Sequence, residues 1–313
     1  MERTNVGAHP AAAAAIVGEF TRYAGMITAR IARPPNFAPE AESMTAAQVE
    51  RGILYPLAVL DPSLPDVFPA QRLIELSNSP RLAQMAVVDR SGHHRPAYRA
   101  LLVYSWLQAF RIAYETLPRS EFGRWEEGAR PWCDLLESEL GEISWPDDGM
   151  PAARGASATE AVWIALALYV AGKVYVRDAW TDLASDTFGK LVRSQQSRDA
   201  RGTFLHRAPD DNPDSHWYHE LVILQAAASY AVQSEDRTVA AAVARSTNYH
   251  FAETQPDHAT NLPWAVFPFI WNASTRSLAD TILHASQMSD PRNENTLSLM
   301  LLADALYCLR LFR

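Results

Sequence analysis

The sequence predicts an all-α fold whose helices form an inner and an outer ring, and three observations carry that expectation. Apolar residues recur at helical spacing along most of the 313 residues, and no stretch alternates apolar and polar residues as a half-buried strand would. From about residue 157 onward, segments that are apolar all round alternate with segments that carry one apolar stripe. A helix apolar on every side must be covered on every side, whereas a striped helix keeps one face in water. Polar loops rich in Asp, Asn and Pro separate these segments.

The composition fits a folded chain with a sizeable core: 48% of residues are hydrophobic and 20% are charged. A net charge of −8 and the lack of any Lys/Arg cluster argue against a nucleic-acid surface. The two cysteines, Cys133 and Cys308, lie on apolar helical patterns. They read as small buried core residues and give no disulfide framework or zinc spacing. Residues 11–17 are too short and weakly apolar for a signal peptide, and no window reaches about 18 consecutive apolar residues. A cytoplasmic protein with no membrane partner is expected. A single domain over 1–313 is expected as well, with a less regular part over 1–95.

Taken in order, residues 8–31 read as an Ala-rich helix and 34–42, with three prolines, as a loop. Helices follow at 45–60, 69–76 and 80–88, then a turn at 91–95 and a long helix over 96–117 with a broad apolar face. Residues 121–140 pair with it as the outer half of a hairpin, and Glu126, Glu127, Glu137 and Glu139 read as its solvated face. Ser157 with Glu160 fits a capping box opening an apolar helix over 161–174. The amphipathic helix over 179–196 is its partner. Apolar helices at 216–232, 260–271 and 295–312 then alternate with amphipathic ones at 236–253 and 276–288.

About a dozen helices of ordinary length make six hairpins. This pattern resembles the α/α toroid shared by six-hairpin glycosidases, many polysaccharide lyases and terpenoid cyclases. Residues 191–204 (LVRSQQSRDARGTF) are similar to the Gln-then-Gly-aromatic turn between terpenoid-cyclase repeats, with Gln196 and Gly202 in the matching places. The resemblance implies a pocket where the inner helices begin, lined by the loops over 145–155, 206–215, 254–260 and 289–294.

Two of those loops carry the chemistry. His216-Trp217-Tyr218-His219-Glu220 opens one inner helix, and His216 shares a face with His219 and Glu220. Two imidazoles and a carboxylate there suit acid–base work; the spacing is not that of a zinc protease, and no metal is assigned. The alternative is a helix-start hydrogen bond from His216 beside a buried His219–Glu220 pair. Asp210-Asp211-Asn212-Pro213-Asp214 spells the DDxxD of class I terpene synthases, but that motif belongs on a helix and Asn212-Pro213 reads as a turn. Asp211 or Asp214 then caps the following helix. In the second loop, Asp257, His258 and Asn261 reach a ligand on which Trp264 stacks, or Thr260 or Asn261 is simply the N-cap. Pro263 suits a first helical turn.

The toroid resemblance implies a carbohydrate-active enzyme, a polysaccharide lyase or a glycoside hydrolase, expected to take a small-molecule or oligosaccharide ligand with no cofactor. For β-elimination on a uronate, His219 is the base, Tyr218 the acid, and Asn261 or His258 neutralises the carboxylate. Tyr218 and His219 point about 100° apart on a regular helix, so at most one is expected to face the pocket. Hydrolysis would need paired carboxyls, drawn from Asp211, Asp214, Glu220 and Asp257. His216, Asp211, Asp257, His258, Asn261, Trp264 and Trp217 are the expected substrate contacts. The two alternatives are a terpenoid-cyclase-like enzyme with an aromatic cavity and a non-catalytic helical scaffold.

Overall fold

The computed structural model describes residues 122–141, 158–197, 202–205, 213–253 and 264–272, with single helical positions between 100 and 111 and between 301 and 311. The side chains of 213–216 lie outside that description, as do the predicted helices at 8–31, 45–60, 69–76, 80–88 and 276–288. Among the described residues the chain is helical, with no strand. The helices are α1 (Phe122–Gly141), α2 (Ala158–Tyr175), α3 (Asp178–Ser197), α4 (Pro213–Ser234), α5 (Arg237–Glu253) and α6 (Val266–Trp271).

α2 has every residue from Ala161 to Gly172 buried, with Ala161, Ala165, Ala167 and Ala171 letting neighbours approach closely. It is long and apolar enough to cross a membrane by composition, but 78% of that window is covered by the protein itself. α3 buries one stripe: Trp180, Ala184, Phe188, Leu191 and Gln195. α5 does the same with Val239, Ala242, Val243, Ser246 and His250, and α4 is buried continuously from Glu220 to Ala231. These apolar and striped helices pack accordingly. α2 lies against α4 and α4 against α6, forming an inner layer, while α3 covers α2, α5 covers α4, and α3 meets α5 outside.

The two hairpins turn in the same way. α2 ends in a left-handed residue, Val176 (φ 54°), and α4 in Glu235 (φ 58°). After α2, the Arg177 amide donates back to the Gly172 carbonyl at 2.9 Å, the pattern of a Schellman cap. Gly172 is required by closeness: a Cβ there would stand 2.6 Å from Thr181 Cγ2 and 3.0 Å from the Arg177 carbonyl oxygen. After α4, Asp236 Oδ1 accepts the Thr238 and Val239 amides at 2.8 and 3.1 Å, capping α5.

Three expectations need correction. The helix predicted over 260–271 starts only at Val266, because Trp264 and Ala265 form a turn and Ala265 is left-handed (φ 61°). Pro268 then falls in the first turn, where no intrahelical donor is lost. Glu137 and Glu139 are half-buried instead of solvated, because α1 packs on α2 and Glu137 Oε2 accepts the Trp180 indole N–H at 2.7 Å. Pro213 opens α4, so Asp214 lies inside its first turn and not at the cap before it. Proline tolerates a first helical position because the missing N–H has no partner there.

Candidate functional site at the start of the inner helices

Tyr218 and His219 come early in α4, both half-buried. His219 Nδ1 lies 2.9 Å from the Thr159 hydroxyl, which sits on the first turn of α2, so one hydrogen bond joins the starts of two inner helices. Although they are consecutive on a helix, the two rings meet edge to face, 5.6 Å apart at 79°. His219 meets the first turn of α2 through Thr159, whereas Tyr218 meets the turn at Trp264.

A row of aromatics leads inward from them. Tyr218 stands at 90° to Trp264, 6.1 Å away; Trp264 lies 6.0 Å from Trp163, and Trp163 5.9 Å from Tyr104. Trp264, expected at the rim, is instead only 2% exposed. The indole N–H groups of Trp163 and Trp264 are buried and have no hydrogen-bond partner among the described residues.

Trp217 and Glu220 turn the other way, toward α5. Trp217 is half-buried, 6.0 Å from the Tyr249 ring and 6.2 Å from His250. Glu220 has no exposure, and its oxygens accept the Phe204 amide at 3.0 Å and the Leu205 amide. The connection between α3 and α4 is therefore held by the carboxylate expected to do acid–base work. Gln195, buried while Gln196 is exposed, donates to the carbonyls of Gly202 (2.8 Å) and Ala242 (3.0 Å), and Arg245 donates to its Oε1 at 2.7 Å. The glutamine that reaches this turn is thus Gln195, one residue before the one singled out in the sequence.

Asp211, Asp257, His258 and Asn261 lie outside the described residues, as do the side chains of Asp214 and His216. No group of three or more His, Cys, Asp or Glu suited to a metal occurs among the described residues. An open groove of about 520 Å³ lies between α3 and α5, lined by Asp182, Asp186, Arg193 and Asp236. None of the predicted site residues lines it.

Sequence reasoning missed a buried polar network. Asp304, 5% exposed, accepts from the Tyr104 hydroxyl (2.5 Å), the Ser229 hydroxyl (2.6 Å), Gln225 Nε2 and the Cys308 thiol (3.6 Å). Tyr104 in turn accepts from Gln108 and Gln233, at 2.9 and 2.7 Å. Burial pushes the Asp304 carboxyl above the ordinary carboxylate range, against the pull of its hydrogen bonds. Burial, and then the Asp304 charge, push the Tyr104 hydroxyl well above its usual value. The signal was present in the sequence: a lone acid in an apolar segment at 304, and Gln225 and Ser229 four residues apart on an apolar helix.

Comparison with known proteins gives no similarity: no family model, no curated protein and no solved structure matches the chain.

Proposed function

We propose that the chain is an enzyme of the α/α toroid class that cleaves uronate-containing glycans by β-elimination. The alternating inner and outer layers of α2–α6 support the architecture, with closure into a ring of about six hairpins part of the proposal. The observation that carries the reaction is the pairing of Tyr218 and His219 at the start of α4, with Thr159 orienting the imidazole through Nδ1. His219 removes the C5 proton of the uronate, a double bond forms between C4 and C5, and the C4–O bond breaks. Tyr218 then gives its proton to the departing oxygen. Elimination is favoured over hydrolysis because Glu220, one of the expected paired carboxyls, is fully buried and holds two backbone amides.

The test is incubation with pectate, alginate and hyaluronan, read by the ultraviolet absorbance of an unsaturated product. One of the three should turn over, and His219→Ala should lower the rate by at least about a hundredfold. Its melting temperature should stay within about 2 °C of the parent. No unsaturated product from any acidic glycan, or an unimpaired His219→Ala, sinks the reading.

One observation favours a second reading, a terpenoid-cyclase-like enzyme: the aromatic row ends beside a buried acid, Asp304, through Tyr104. Cyclisation of a polyprenyl diphosphate that stops in Asp304→Asn would select it over the lyase.

A further inference from the structure

We propose that the indole N–H groups of Trp163 and Trp264 form the subsite for a ligand carboxylate, an inference that rests on the lyase reading and names how its acidic sugar is held. Both rings are almost wholly buried, at 0% and 2% exposure, and neither N–H has a hydrogen-bond partner among the described residues. A buried donor left unmade costs about 1–3 kcal/mol, so two of them in rings 6.0 Å apart call for an acceptor. An indole donates only. A sugar hydroxyl brought to it adds a hydrogen that needs its own acceptor in the same buried place. A carboxylate brings lone pairs and no hydrogen, and hydrogen bonds to an ionised acceptor are roughly twice as strong as neutral ones.

The position agrees with the chemistry. Trp163 is one turn beyond Thr159 on the same face of α2, and Thr159 holds His219. Trp264 packs against Tyr218, which is half-buried and next to His219. Trp264 therefore stands beside the proposed acid, and Trp163 stands one helical turn from the threonine that holds the proposed base.

The test uses the full chain with ¹⁵N-labelled tryptophan, whose nine residues give nine indole signals. D-glucuronate should move two of these signals and D-glucose neither. Spectra of Trp163→Phe and Trp264→Phe, each lacking one signal, should identify the pair that moves. By calorimetry the unsubstituted chain should bind glucuronate at least about tenfold more tightly than its methyl ester, the difference expected for a charge-assisted hydrogen bond. Equal affinity for acid and ester overturns the subsite even where a Phe variant does not fold. So does a response to glucose, or movement of other indoles. Polyuronate turnover without the indole shifts overturns the subsite and leaves the lyase standing. Shifts without turnover support the subsite and remove the lyase, and neither result removes both.

Discussion

Glu220 and His250 face each other across the contact of α4 with α5, Oε2 to Nε2 at 3.6 Å, with neither side chain exposed to solvent. The same carboxylate holds the amides of Phe204 and Leu205, so one side chain that lies against α5 fixes the α3–α4 connection. Glu220→Ala leaves those amides without their acceptor and is expected to cost about 3–5 kcal/mol. His219→Ala, half-buried and facing α2 instead of α5, should cost less than about 1 kcal/mol. Urea unfolding of the two variants checks the contrast; a Glu220→Ala protein as stable as its parent would show that the carboxylate does not hold the loop.

Gly172 sits tight against the turn into α3 and its first residues. An added methyl group meets Thr181 Cγ2 and two backbone atoms, and the backbone cannot swing aside. Gly172→Ala should therefore destabilise by about 1–3 kcal/mol. Gly141→Ala, where nothing lies within 4 Å of the added carbon, should change stability by less than about 0.5 kcal/mol. Equal melting temperatures for the two variants would contradict the tight contact.

The hairpins were legible because burial writes itself into the sequence as period. The all-round apolar run of α2 and the stripe of α3 each require the packing they have, and the ends of α1 to α5 fall within three residues of those expected. The start of α6 was not legible. Pro263 and Thr260 are good helix-start residues, but Ala265 adopts a left-handed conformation that nothing in its side chain announces. At the site, residue type was visible and direction was not. His219 and Glu220 are neighbours on α4, and only the positions of Thr159 and His250 on other helices decide that one meets α2 and the other α5. Asp304 was overlooked for a related reason: its four donors come from three separate stretches of chain that only the fold brings together.

Val176 holds a left-handed backbone while 88% exposed, so its side chain has little packing to lose. That conformation costs a residue with a Cβ about 1–2 kcal/mol, and more for a β-branched one. Glycine removes the strain but adds about 0.5–1 kcal/mol of unfolded-chain entropy. Val176→Gly is expected to stabilise by about 0.5–1 kcal/mol, read as a rise in the denaturation midpoint with an unchanged slope. A lower midpoint would mean that the valine contributes to the turn in some other way.

Both thiols are buried, and burial raises Cys133 to about 12 and Cys308 well above its ordinary value. Because the thiolate is the nucleophile, neither should react with iodoacetamide at pH 8 in the folded protein. Mass spectrometry should find two additions after denaturation and none before. Rapid alkylation of the native chain would place at least one cysteine nearer to solvent than described.

Asp304 should make stability depend on pH in the sense opposite to a surface ion pair. Its carboxyl lies above the ordinary carboxylate range in the fold, with burial as the main cause. A group whose folded value is raised binds its proton more tightly in the fold. Its contribution to stability is fully present below the unfolded value and is lost as the pH climbs through the raised one. Asp304→Asn cannot ionise, so it should lack that slope. It should also be less stable than the parent at low pH, because an amide N–H replaces one of two acceptor oxygens that face the Tyr104 and Ser229 hydroxyls. The gap between the two proteins should therefore narrow as the pH rises from the ordinary carboxylate range upward, measured by urea unfolding at a series of pH values. Parallel curves across that range would show that burial does not shift the Asp304 carboxyl.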